Sequence, residues 1–211
     1  MSLPNEQGTQ EVFPLCYFAP VHWFAAWVQA SSPIGEAHIW YQKQQLSSRT
    51  WIKGPERVLP LTIPVERRSE KIAIGEKRVS YQENWPETHL RSWKNYYQNS
   101  PYYYLYEDEI KAFYALRHPL LIDWIMASHT LACKWLKISD SFPLSVEYLE
   151  PKQSLLDFRG DFHGKSGNLP SWYVNEPYSQ VFEPFEGGLS ILDLVFNSGP
   201  IARSYLKRGI T

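Results

Sequence analysis

Residues 17–30 read YFAPVHWFAAWVQA, residues 36–52 read EAHIWYQKQQLSSRTWI and residues 58–65 read VLPLTIPV. Just upstream, 12–18 is rich in Val, Phe, Leu and Tyr and is stopped by Pro20, the form of a short strand. In 21–30 the apolar residues Trp23, Phe24, Trp27 and Val28 fall at i, i+1, i+4 and i+5, which is a helix face. Pro33 ends that helix, and 37–41 is a second strand candidate. Strand, helix and strand within roughly thirty residues make a βαβ unit, whose natural ligand position is the strand-to-helix loop. His22 lies at that loop.

Working outward, 51–53 and 58–65 flank Lys53-Gly54-Pro55-Glu56 and read as a hairpin, with Pro60 and Pro64 favouring an edge or irregular run. A charged stretch, 66–77, contains a short strand candidate at 71–74. The texture then turns helical. Asn84 is placed to cap a helix over 85–97 with Pro86 in its first turn, Ser100-Pro101 opens a second over 102–116, and His118-Pro119 a third over 120–136. Beyond Ile138 come a strand candidate at 144–149 and a polar, Gly-rich loop at 157–171, of a length that suggests mobility or function. Ser190 is placed to cap a short apolar helix ending at 197–199, and Pro200 to start a last helix through 206. Residues 1–11 read as a loose polar arm.

The 211 residues are long enough for a full core without metals or disulfides, and one domain over 1–211 is expected. A formal net charge of -1 argues against a nucleic-acid surface, and 44% hydrophobic residues against disorder. The aromatic content, 16% with 9 Trp and 14 Tyr, suits either a ligand groove that stacks on sugars or a core built from rings. Cys16 and Cys133 sit in apolar contexts without metal-ligand spacing and read as buried thiols of a reducing compartment. No leader pattern and no run of eighteen apolar residues is present, so a cytoplasmic protein without a membrane partner is expected.

Four groups of residues could carry chemistry. His22 resembles the phosphate-holding histidine of a His-x-Gly-His motif, but His22-Trp23-Phe24-Ala25 lacks the glycine and the second histidine. Tyr41, Lys43 and Arg49 could clamp a phosphate or carboxylate, Arg through its planar fork and Lys as a point charge. His89 could act as a general base, or be a core histidine. Arg159, His163 and Lys165 follow Asp157 in the Gly-rich stretch and would suit a lid over an anionic substrate. No HExxH, Gly-x-Ser-x-Gly, Walker loop or Cys/His metal set is found, so neither metal nor cofactor is expected.

Taken together the segments resemble the WbqC-like protein family. The matching pieces are Tyr17, Pro20 and Phe24; Tyr41-Gln42-Lys43; Ser48-Arg49-Thr50-Trp51-Ile52; and Leu61-Thr62-Ile63-Pro64-Val65. They continue through Trp85 with His89, Tyr96 to Tyr102, Asp157-x-Arg159-x-x-x-His163-x-Lys165, Tyr178 to Phe182 and Leu189 to Leu194. The resemblance implies work on surface-polysaccharide (O-antigen) precursors, as a transferase that acylates or aminoacylates the amine of a nucleotide-linked amino sugar. On that reading Lys43 and Arg49 would meet the diphosphate, and His89 or His163 would take the proton. His22, Tyr41, Arg159 and Lys165 would be further binding residues. A non-catalytic binding or assembly protein of a polysaccharide pathway and a nucleotidyltransferase-like enzyme stay open as alternatives. The partner expected is a nucleotide sugar or other small anionic molecule, and a homodimer is left open.

The expected fold is α/β: a small mixed sheet opened by a βαβ unit, a helical middle and an irregular C-terminal part, with α+β as the alternative.

Overall fold

The computed structural model describes residues 9–67, 70–151, 155–162, 167 and 169–209. The opening βαβ unit is present. Strand β1 (Gln10–Pro14) leads into helix α1 (Val21–Trp27), which returns the chain to β2 (Pro33–Glu36), parallel to β1 with Val12 opposite Ile34. Both strands lie a few residues earlier than the sequence places them, because the apolar residues 15–19 are buried in a turn instead of a strand. Phe18 sits there with φ 38, a conformation that strand backbone does not adopt. All seven residues of α1 are buried, and a helix apolar on every side belongs inside a core.

A third strand, β5 (Leu155–Asp157), pairs in parallel on the other side of β1, giving the order β2-β1-β5. This strand falls within and just ahead of the stretch read as loop. The hairpin is as expected: β3 (Arg49–Lys53) and β4 (Val58–Thr62) pair antiparallel, with Trp51 opposite Pro60. Parallel and antiparallel pairings thus fall in two separate small sheets. The strand expected at 71–74 is a single bridge at Ala73 followed by a 3₁₀ turn, Ile74–Glu76. The strand expected at 144–149 is one bridge, Leu144 beside Gly35. Gly35 is there for close approach, since a Cβ would stand 2.6 Å from the Phe142 ring.

The helical middle consists of α2 (Trp85–Tyr97), α3 (Tyr103–Ala115) and α4 (Leu121–Leu136). Pro86 occupies the first turn of α2 as expected, but the Asn84 side chain makes no capping bond. Helices α5 (Ile191–Ser198) and α6 (Ala202–Arg208) end the chain, and the Ser190 hydroxyl caps α5 by accepting from Leu192 N at 3.3 Å. The core is built largely from rings: Trp23, Trp93 and Trp124 are at most 1% exposed. Burying each such side chain contributes roughly 2–3 kcal/mol.

One charge in this core ties the C-terminal segment down. Asp193 is 0% exposed, and its carboxylate accepts from the Tyr97 hydroxyl (2.8 Å), the Tyr178 hydroxyl (2.6 Å) and Gln180 Nε2 (2.8 Å). Gln180 in turn bonds the backbone of Glu186 in both directions. Burial raises the Asp193 carboxyl above its ordinary range, and the three donors partly offset this.

Candidate functional site

A cavity of about 920 Å³ opens at the carboxyl ends of the three parallel strands. In open parallel sheets that edge is the general ligand position, most of all where neighbouring connections run in opposite directions. Here β1 meets that condition, since the chain leaves it toward β2 and comes back on the far side as β5. Pro14, Leu15 and Cys16 form the floor, 38–47 one wall, and Tyr148, Glu150, Asp157, Arg159 and Phe162 the other. Trp40 lines it while 56% exposed, and Tyr148 while 45% exposed.

Glu36, the last residue of β2, holds the walls in place. Its carboxylate is 0% exposed and accepts from His38 N (2.7 Å), the Ser145 hydroxyl (2.9 Å) and Leu149 N (2.7 Å). Arg159 is anchored between strands: it donates to Asp157 from Nε and Nη2, and Nη1 lies 3.5 Å from Glu36 Oε2 without a hydrogen bond. The pair reinforces itself, so the Asp157 carboxyl is held below and the Arg159 guanidinium above its ordinary range. Arg159 also lies over the Tyr148 ring, 5.4 Å from its centroid. The guanidinium charge is thereby balanced by two carboxylates.

Of the residues singled out in the sequence, Arg159 lines this cavity. His163 and Lys165 lie outside the described residues. Lys43 is exposed in a turn, next to the lining residue Gln42. Tyr41 donates to or accepts from the Ser48 hydroxyl at 3.1 Å, beneath the Lys77 ammonium. Arg49 is committed to the hairpin, with Nε on the Thr62 hydroxyl at 3.1 Å and its guanidinium over Trp51. Lys43, Arg49 and His89 are therefore not gathered around one space.

His89 is 3% exposed and fully engaged. Nε2 must donate to the Thr62 carbonyl (3.2 Å), which leaves Nδ1 to accept from the Tyr17 hydroxyl (3.3 Å). The Tyr114 hydroxyl then donates to Tyr17 (2.6 Å), and Trp93 Nε1 donates to Tyr114 (2.7 Å). Every group in this chain has its partner, and burial pushes the imidazole down to about 3. In this network His89 has no nitrogen left to take a substrate proton. His22 is likewise buried, stacked on Phe162 with centroids 5.3 Å apart; its Nδ1 has no hydrogen-bond partner and its pKa is pushed down by burial to about 3.

The structure adds lining residues that the sequence reading did not single out: His38, Trp40, Tyr148 and Glu150. His38 and Trp40 fall in a segment read as strand, and Tyr148 in another. The strand reading at 144–149 hid the fact that two exposed aromatic side chains flank one opening.

The sequence model of the WbqC-like protein family matches residues 16–165. The chain belongs to the WbqC-like protein family. Among the described residues lining the cavity, only Pro14 and Leu15 fall outside the matched span. The family match therefore takes in both walls, whereas the Asp193 network that secures the C-terminal segment lies beyond it, apart from Tyr97. No curated protein and no solved structure matches the chain. Among the described residues, no helix is long and apolar enough to cross a membrane.

Proposed function

We propose that the cavity is the substrate site of a transferase in surface-polysaccharide precursor biosynthesis, and that it holds a nucleotide-linked amino sugar whose amine is acylated or aminoacylated. The observation that carries this reading is Trp40, a large ring left 56% exposed in the wall of a cavity at the carboxyl edge of a parallel sheet. An exposed indole face offers the apolar C–H face of a sugar ring the contact that polar side chains cannot. Around it stand planar polar groups, Gln42, Gln45, Glu150, Asp157 and Arg159, of the kind that bond sugar hydroxyls. Family membership supports the same class of substrate.

Binding without catalysis is the second reading, and one observation favours it: His89 has both nitrogens occupied away from the cavity. The buried, stacked position of His22 offers nothing to a nucleotidyltransferase-like reading.

A thermal-shift screen with uridine- and thymidine-diphosphate sugars tests the proposal. A ligand at about 100 times its Kd stabilises a protein by about 2.7 kcal/mol, which for a chain of this size raises Tm by roughly 5–10 °C. Such a shift is expected for the native chain and should shrink strongly in Trp40→Ala. No shift with any nucleotide sugar, or an equal shift in Trp40→Ala, would contradict the assignment.

A further inference from the structure

Two segments far apart in the chain meet on the buried carboxylate of Glu36. Oε1 accepts from the amide of His38 and Oε2 from the amide of Leu149, each at 2.7 Å. His38 and Glu150, the residue after Leu149, are thereby brought to the two walls of one cavity.

The neutral His38 ring is held in one tautomer. Its Nε2 lies 3.1 Å from the Ser145 carbonyl oxygen, which has no hydrogen to give. In the neutral ring Nε2 therefore carries the hydrogen and Nδ1 the lone pair. Ser145 is itself fixed: its N–H donates to Gly35 O (2.9 Å), its hydroxyl donates to Glu36, and that hydroxyl accepts from Ala37 N (3.1 Å). Nδ1 of His38 and the carboxylate of Glu150 have no hydrogen-bond or ion-pair partner among the described residues.

Arg159, by contrast, is already neutralised by Asp157 and Glu36. His38 and Glu150 thus offer a pyridine-type nitrogen and a carboxylate, both acceptors. A phosphate would offer them no hydrogens and would be repelled by Glu150. A primary ammonium gives three hydrogens and matches the charge.

We propose that His38 Nδ1 and the Glu150 carboxylate form a primary-amine subsite that selects and orients the free amino group of an amino sugar. The inference rests on the cavity's being the sugar site. It places the amine between His38 and Glu150, which leaves the nucleotide diphosphate to the remainder of the opening.

Calorimetric titration of the full chain with UDP-glucosamine, UDP-N-acetylglucosamine and UDP-glucose tests it. The amine-bearing sugar is expected to bind on the order of tenfold more tightly than the other two, the size of one charge-assisted hydrogen bond. Glu150→Gln, an exposed substitution, should erase that preference, so that the variant binds UDP-glucosamine no more tightly than it binds UDP-glucose. Equal binding of all three sugars overturns the amine subsite while the cavity reading stands; binding of none overturns both. A preference that survives in Glu150→Gln removes Glu150 from the subsite. Nitrogen-15 NMR of His38 should show hydrogen on Nε2 and a perturbed Nδ1 with UDP-glucosamine alone; hydrogen on Nδ1 overturns the role given to His38.

Discussion

The Leu149 amide donates to Glu36 Oε2 over 2.7 Å and so joins residues 113 positions apart across the mouth of the cavity. Together with His38 N and the Ser145 hydroxyl it satisfies a carboxylate that is 0% exposed. A buried charge is tolerable only when its bonds are all made, so this residue is a point where fold and site depend on each other.

Glu36→Gln keeps the shape but turns an NH₂ toward one of three donors. Its stability cost is expected to be about 2–4 kcal/mol. Urea unfolding measures it, and a loss below about 0.5 kcal/mol would show that the walls do not depend on this carboxylate.

Asp193→Asn faces the same problem against Tyr97, Tyr178 and Gln180. A similar loss, about 2–4 kcal/mol, is expected, together with faster proteolysis within 176–188 as that segment loses its anchor. Unchanged cleavage would mean that other contacts hold the segment.

Acid should weaken the fold before the carboxylates titrate. Burial lowers His22 and His89 to about 3 and His129 to about 4, each from an ordinary value of 6.5. Because these folded values lie below the unfolded one, the stabilisation is complete above pH 6.5. It is lost as pH falls toward 4 and 3, since the unfolded chain binds the protons first. Each histidine contributes up to about 1.4 kcal/mol per pH unit in that window. Asp193, whose carboxyl is raised, acts in the opposite sense at the acid end.

His22→Phe isolates one of these protons. His22 Nδ1 has no partner to lose, and the ring packs against Phe162 and Tyr173. Urea unfolding between pH 7 and 5 should therefore show a slope smaller by about one proton, with stability at pH 7 within about 1.5 kcal/mol of the native chain. An unchanged slope would show that His22 protonates in the folded state.

Arg49→Ala should leave any nucleotide-sugar stabilisation in place, because Arg49 is used on Thr62 and Trp51. Its own cost should stay near 1 kcal/mol, that of one partly exposed hydrogen bond. Loss of ligand binding in this variant would return Arg49 to the site.

The βαβ opening, the hairpin and the helices were legible because each rests on local signals: the spacing of Trp23, Phe24 and Trp27, the turn at Gly54-Pro55, and Pro86 in a first turn. Boundaries slipped where burial outran secondary structure, as at 15–19, whose apolar residues fill the core from a turn. Strand β5 is three residues with little alternation to read. Arg159 was legible as a polar residue in a loop, but the cavity around it was not. Its walls come from 38–47 and 148–162, and what joins them is Glu36 bonding Leu149, a contact with no trace in the neighbouring sequence.

A crystal structure of the full chain with UDP-glucosamine tests the central claim most directly. The sugar ring is expected against the Trp40 indole, at about 4 Å, with its amine at Glu150 and His38. A ligand seated instead beside Lys43 and Arg49, with the Trp40 wall untouched, would contradict the assignment.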